Sequence, residues 1–247
     1  MLIKTEAIVI RTIDYGESNK VLTVYTKDFG KMGIMARGAK KTKSRLSSVS
    51  QLFTHAQFLI QKGRGLGSLS QGEIINTYRA IKQDLFKTAY AAYIVELLDK
   101  STEESKPSAA LFDFLNLALT YLDEGIDADV LLAIFEMKMF RIAGVGPTVD
   151  RCVNCARKEG AFSFSIAEGG FLCEQCRQID PNALAISPQT ARLLYLFYHM
   201  DLTRLGSVSV KEETKKTIKL ILSTYMDEYT GIRLKSKRFL DQLDSLE

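Results

Sequence analysis

All four cysteines of the chain stand in two matched pairs, Cys152-Val-Asn-Cys155 and Cys173-Glu-Gln-Cys176, a C-x2-C-x17-C-x2-C arrangement. A two-residue spacer lets both sulfurs of a pair point at one ion while N–H groups of the turn face the thiolates. Two such pairs make a closed tetrahedral S4 set, the ligand set of structural Zn²⁺. Between the pairs, Ala161-Phe-Ser-Phe-Ser-Ile166 alternates, Glu168-Gly-Gly170 can turn, and Phe171-Leu172 leads into the second pair, which outlines a zinc-ribbon hairpin. Disulfide bonding is disfavoured in a cytosolic chain, and a redox C-x-x-C is disfavoured because no βαβ pattern surrounds either pair. Four protein ligands leave the metal no open position. One Zn²⁺ on Cys152, Cys155, Cys173 and Cys176 is therefore expected to be architectural, folding a segment too small to fold alone.

The first 79 residues read as short strands between turns: Leu2–Thr12, Lys20–Thr26, Lys31–Ala36, Ala56–Gln61 and Gly67–Asn76. Five strands in so short a span suit a small closed barrel, with the OB-fold the leading candidate. An SH3-like barrel satisfies the same pattern. From residue 80 the texture turns helical. Ala80–Lys100, Pro107–Glu124 and Ala128–Ala143 are mostly Gly-free and apolar on most faces, as at the centre of a bundle. Pro107 is expected at a first helical position, Gly125 past a helix end and Asp127 at an N-cap. Ser187-Pro188 opens a further helix, and Ser209-Val-Lys-Glu212 is a capping-box pattern for another running to about Tyr229. The expected architecture is multidomain α+β. A five-stranded OB-fold β-barrel (1–79) precedes an α-helical bundle domain (80–149 and 179–247), which a small four-cysteine zinc-ribbon-like module (150–178) interrupts.

Net charge is +4, but residues 1–79 carry 13 Lys/Arg against 5 Asp/Glu, and no acid lies between Asp28 and Glu73. Such segregation attracts polyanions. Its densest part is Arg37-Gly-Ala-Lys-Lys-Thr-Lys-Ser-Arg45, where Arg37, Lys40, Lys41, Lys43 and Arg45 fall on what reads as a mobile loop joining two barrel strands. OB-folds bind single strands with a positive groove and aromatic platforms. Tyr15, Tyr25, Phe29, Phe53 and Phe58 are the rings available, although aromatics at strand positions are more often core. A second cluster, Arg233, Lys235, Lys237 and Arg238, either extends the same track or is a solvated helix end.

Catalytic motifs are not found. His55 and His199 belong to no H-E-x-x-H or H-x-E pattern, and no G-x-S-x-G or P-loop occurs. Gly63-Arg-Gly-Leu-Gly67 leads into a strand, where a phosphate loop would lead into a helix. No apolar run is long enough to span a bilayer. The N-terminal MLIKTEAIVIRT has no signal-peptide h-region, so a cytoplasmic protein is expected.

The order of EAIVIRT, DYGESNKVLTVYTKDFGKMGIMARGAKKTKSR, GRGLGSLSQGEI, GVGPTVDRCVNC and GIRLKSKRFL resembles the bacterial recombination mediator family RecO along essentially the whole chain. Some members of that family lack the cysteines; all four are present here. The resemblance implies a non-enzymatic DNA-binding and strand-annealing protein of DNA repair, associated with the nucleoid. It implies single- and double-stranded DNA, RecR and the tail of the single-strand DNA-binding protein as partners, and RecA as an indirect one. Two other classes stay open: an RNA-binding or translation-associated factor, since OB barrels and zinc ribbons also serve RNA, and a metal-dependent nuclease.

Overall fold

The computed structural model describes residues 1–63, 65–206 and 208–244. Arg64, within the glycine-rich 63–67 segment, lies outside them. The N-terminal strands are β1 (Leu2–Tyr15), β2 (Asn19–Thr26), β3 (Gly30–Ala36), β4 (His55–Gln61) and β5 (Gly67–Asn76). They close into a barrel in the order β1-β2-β3-β5-β4, with β1 paired to both β2 and β4. A register shift between Val9 and Arg11 bends the long β1 so that it can serve both partners. β3 and β5 meet in parallel at Ile34↔Gly67 and Met35↔Ser68. This is the OB-fold barrel expected from the strand pattern. Inward residues of alternating strand positions, among them Ala7, Val9, Leu22, Val24, Ile34, Phe58 and Ile60, form its core.

Helices α1 (Arg79–Gln83), α2 (Leu85–Ser101) and α3 (Ala109–Glu124) follow. The expected continuous helix from Ala80 is broken at Asp84, which is extended and caps α2 by accepting the Lys87 N–H at 2.9 Å. Pro107 is likewise not the first helical residue. Ser108 Oγ accepts the Leu111 N–H at 3.2 Å and so starts α3 at Ala109. Gly125, at φ 91°, ends α3 as expected.

The remaining elements are α4 (Ala128–Ile142), β6 (Thr148–Cys152), β7 (Phe162–Ser165), β8 (Gly170–Cys173), β9 (Leu184–Ala185), α5 (Pro188–His199), α6 (Glu212–Tyr229) and α7 (Lys235–Asp244). Strands β6 to β9 form a sheet ordered β6-β8-β7-β9. Asp127 caps α4 and Ser187 caps α5, each as the sequence indicates. Ser209 does not cap α6. The helix starts at Glu212, whose carboxylate is held by Lys215 at 2.9 Å and so does not reach back toward Ser209.

The chain forms two compact units, one of residues 1–125 with 234–247 and the other of residues 126–233. Composition draws its boundaries elsewhere, at 79, 149 and 178. In the first unit, barrel and helices are joined by a buried ammonium. Lys31 of β3 reaches the Asp99 carboxylate at 3.1 Å and the carbonyls of Asp99 and Thr102 at 2.5 and 2.6 Å. It thereby satisfies carbonyls left open at the C-terminal end of α2. The segment after α2 then runs beside β3, where Ser105 N–H donates to Lys31 O. Gly30 has φ 69°, and a Cβ there would meet Lys106 O at 2.3 Å.

Replacing Lys31 by Met leaves a carboxylate and two carbonyls buried without their cation. The first unit is expected to lose about 3 kcal/mol in denaturant unfolding. His55 supplies a pH dependence. It is buried, 2.7 Å from Glu6 and edge-on to Phe112. Burial pushes its imidazole below the ordinary range, outweighing the Glu6 carboxylate. The unfolded chain takes up a proton below about pH 6.5 while the native state still refuses it, so stability falls as pH drops through that value. Thermal unfolding between pH 7 and 5.5 should show this decline in the native chain and not in His55→Gln.

Candidate metal centre and nucleic-acid interface

Arg37, Lys40, Lys41, Lys43 and Arg45 are all exposed on the segment joining β3 to β4. That segment is a run of closed turns tied to the β1–β2 turn, not the open loop that small residues among cations suggest. Gly38 N–H donates to Asn19 Oδ1 at 2.8 Å and Lys40 N–H to Ser18 O at 2.9 Å. Lys41 and Ser44 N–H each close a turn on the residue three before. Ala39 is buried and Leu46 packs on the barrel core, so apolar residues anchor both ends of the charged stretch. Lys40 Nζ sits 2.8 Å from Asp14, whose carboxyl is held below its usual range by that bond. The other four cations have no ion pair among the described residues.

Of the five rings, Tyr25, Phe53 and Phe58 are buried and Phe29 packs against the core; Tyr15 is 58% exposed. Tyr15 does not stand alone. Arg11, Ile13 and Tyr15 share one face of β1, opposite Thr23, Val21 and Asn19 of β2, and Val21 and Thr23 in turn oppose Met35 and Gly33 of β3. Leu66 lies over Gly33, where a Cβ would meet its Cδ2 at 2.6 Å. Ile13 and Leu66 are 52% and 53% exposed, so an apolar platform adjoins the turn that carries the charged segment. Ile13 escapes a sequence reading that ends the first strand at Thr12, and Tyr15 enters it only as one ring among five; the alternation through residues 11, 13 and 15 is the signal that sets them on one face.

The second basic cluster is divided. Arg233 is exposed in the second unit, while Lys235, Lys237 and Arg238 belong to α7 in the first. The N–H groups of Lys235 and Ser236 and the Ser236 hydroxyl donate to the Glu96 carboxylate at 3.2, 2.8 and 2.6 Å. Burial opposes its ionisation, but these bonds bring Glu96 below the usual range. A carboxylate thus already occupies a helix start that could otherwise take a phosphate.

The four cysteines do converge. Cys152 ends β6 and Cys173 ends β8, and each pair closes a turn, with Ala156 N–H on Cys152 O and Cys176 N–H on Cys173 O. All four sulfurs lie within 4.8 Å of one another, Cys155 and Cys173 at 3.6 Å. A tetrahedron of thiolates with metal–sulfur bonds of about 2.3 Å has sulfurs about 3.8 Å apart, so the set fits a zinc-sized ion. Cys173 N–H and the Asn154 amide face the sulfurs of Cys152 and Cys176 at 3.4 and 3.3 Å. Desolvation opposes ionisation of Cys152, but N–H groups of Cys155, Cys173 and Asn154 bring it down to about 6. The Asn154 amide favours a thiolate at Cys176 too, yet desolvation and three neighbouring sulfurs push it up to about 11. A divalent cation among the four convergent sulfurs would supply the positive charge that holding them as thiolates requires. The sheet that carries the cysteines is fastened to α6: Phe164 packs edge-on to Tyr225, and the Tyr229 hydroxyl donates to Ile166 O.

Elemental analysis of native protein is expected to give about one zinc per chain, and metal-free native protein would refute the metal centre. In Cys152→Ser, hydrogen-exchange protection should drop first in β6 to β8 while β1 to β5 keep theirs.

The family model for the recombination protein O N terminus matches residues 1–78, and that for its C terminus matches residues 82–238. The DNA repair protein RecO of Bacillus pumilus is 54% identical over 247 residues, covering 100% of this chain and 96% of that one. The protein of the same name from Bacillus subtilis is 53% identical, covering 100% and 97%. That of Halalkalibacterium halodurans is 52% identical over 246 residues, covering 100% and 97%. Family models that together take in both compact units, and relatives alike along their whole length, leave one conclusion: the chain belongs to the RecO family of DNA repair proteins.

Proposed function

We propose that this chain is a DNA-binding recombination mediator and strand-annealing protein that makes and breaks no covalent bond. In this reading it binds single- and double-stranded DNA in the cytoplasm, at the nucleoid. It acts with RecR, and with the single-strand DNA-binding protein through that protein's tail, so that RecA loads on coated DNA. The observation that carries the reading is the charged segment 37–45 standing beside the apolar platform of Ile13, Tyr15 and Leu66. Cations there meet phosphates, and the platform receives unpaired bases by stacking and apolar contact. Phosphate contacts carry no sequence information and leave base edges free, which is what pairing two complementary strands requires. Zn²⁺ on Cys152, Cys155, Cys173 and Cys176 holds the second unit's sheet and takes no part in chemistry. The membership of the DNA repair family supports DNA over RNA as the polyanion. Among the described residues, no helix is long and apolar enough to cross a membrane.

Fluorescence anisotropy of labelled single-stranded DNA across a salt series tests the site. Arg37, Lys41, Lys43 and Arg45 predict a log–log slope near about −2.8, and release of Lys40 from Asp14 would steepen it to about −3.5. Changing Lys40, Lys41 and Lys43 to Glu should weaken binding and flatten the slope. Unchanged binding would remove the segment from the interface. Equal competition by RNA of the same length would favour an RNA-binding factor, and cleavage of DNA on incubation with Mg²⁺, Mn²⁺ or Zn²⁺ would refute the non-enzymatic reading.

A further inference from the structure

The second unit contains a cleft of about 440 Å³ between the cysteine-bearing sheet and α5. Its walls include Phe162, Phe171 and Tyr195, and its polar groups include Asp150, Lys158 and Arg192. Phe162 and Phe171 stack with centroids 5.2 Å apart, and Tyr195 is 43% exposed. Lys158 and Arg192 are exposed and have no ion pair among the described residues. Asp150 keeps a side chain 41% exposed, with Arg151 at 3.6 Å. The volume suits a small ligand or a single residue of a larger one.

We propose that this cleft receives one unstacked nucleotide of a single strand, with a preference for guanine. The assignment rests on the reading of the chain as a DNA-binding protein and adds to it a strand contact in the second unit. Phe162 and Tyr195 take the flat face of a base, with the buried Phe171 backing Phe162. Lys158 and Arg192 meet its phosphate. Asp150 decides between occupants. Lys158 and Arg192 would draw any anion, but Asp150 adds an acceptor that the carboxylates of an acidic peptide cannot use, whereas a base edge that carries N–H donors fills it. Guanine offers N1–H and the exocyclic amine together, a bidentate match to one carboxylate; thymine offers a single N–H. A protein that holds one strand on its barrel and extrudes a nucleotide of another in a separate unit keeps two strands on one chain.

The chain contains no tryptophan, so Tyr195→Trp places a single reporter in the cleft. The tetranucleotide TTGT should quench its fluorescence saturably, with an affinity about tenfold above that of TTTT. Quenching should persist when Lys40, Lys41 and Lys43 are changed to Glu. It should weaken at least tenfold in Lys158→Glu/Arg192→Glu, and Asp150→Asn should abolish the preference for guanine. The same ratios are to be read from anisotropy of the labelled tetranucleotides with Tyr195 in place, so that the result does not depend on the tryptophan variant folding. Absence of saturable binding at the cleft, with long single-stranded DNA still bound, overturns this inference alone. Loss of long single-stranded DNA binding as well overturns the functional reading beneath it. Saturation by an acidic peptide in place of either tetranucleotide makes the cleft a peptide site and also overturns the assignment.

Discussion

The ammonium of Lys31 is the hinge on which the first unit is organised. A cation this deep is tolerated only when every one of its protons finds an acceptor, and α2 supplies them from Asp99 and Thr102. Satisfying it fixes the end of α2 against the base of β3 and lays the following residues beside Gly30. One side of the barrel is thereby covered: Tyr25 and Thr23 are buried on a face that a bare barrel would leave to water. The same face continues past Val21 toward Ile13 and Tyr15, which stay open. The exposed apolar platform is the part of that face that α1 to α3 leave uncovered.

The five strands could be read from the sequence because they alternate between turn-prone stretches, but their order could not, since an SH3-like barrel satisfies the same pattern. The caps at Asp127, Ser187 and Gly125 were equally readable, since a side chain or a φ angle makes each of them locally. The misread points share another cause. At Asp84 the chain composition is helical throughout, and only one carboxylate turning to the Lys87 N–H separates two helices. Ser209 lost its place because the helix begins at Glu212 with Lys211 at the cap position. The division into two units was hidden for the same reason. Lys31 and Glu96 bond to partners 68 and 140 positions away, and periodicity carries no information about those.

The candidate sites divide along similar lines. The cysteine cluster was fully visible, because metal-ligand spacing is a local signal for a three-dimensional object. The charged segment was visible as charge, but its turns and its tie to Ser18 and Asn19 were not. The cleft of Phe162, Tyr195 and Arg192 had no sequence signature at all, since its residues are assembled from a hairpin and a helix whose meeting depends on how the sheet sits on α5. Electrostatics follows the same division. Among the described residues Asp14 is the one acid ion-paired with the charged segment, whereas the cleft mixes both signs.

The path of the chain through α7 has a consequence for biogenesis. Residues 126–233 are an insertion within the first unit, since the chain leaves that unit after Gly125 and returns to it at Leu234. Leu234, Leu240 and Leu243 are buried where α7 packs on α2, and Glu96 waits to accept its first N–H groups. During synthesis the barrel and α1 to α3 therefore emerge with an apolar seam on α2 uncovered. The seam stays uncovered until about a hundred further residues have been translated, roughly 5 to 20 seconds at ordinary elongation rates. A nascent chain in that interval is a partly closed body whose last helix has yet to be made, and chaperone occupancy should be concentrated there.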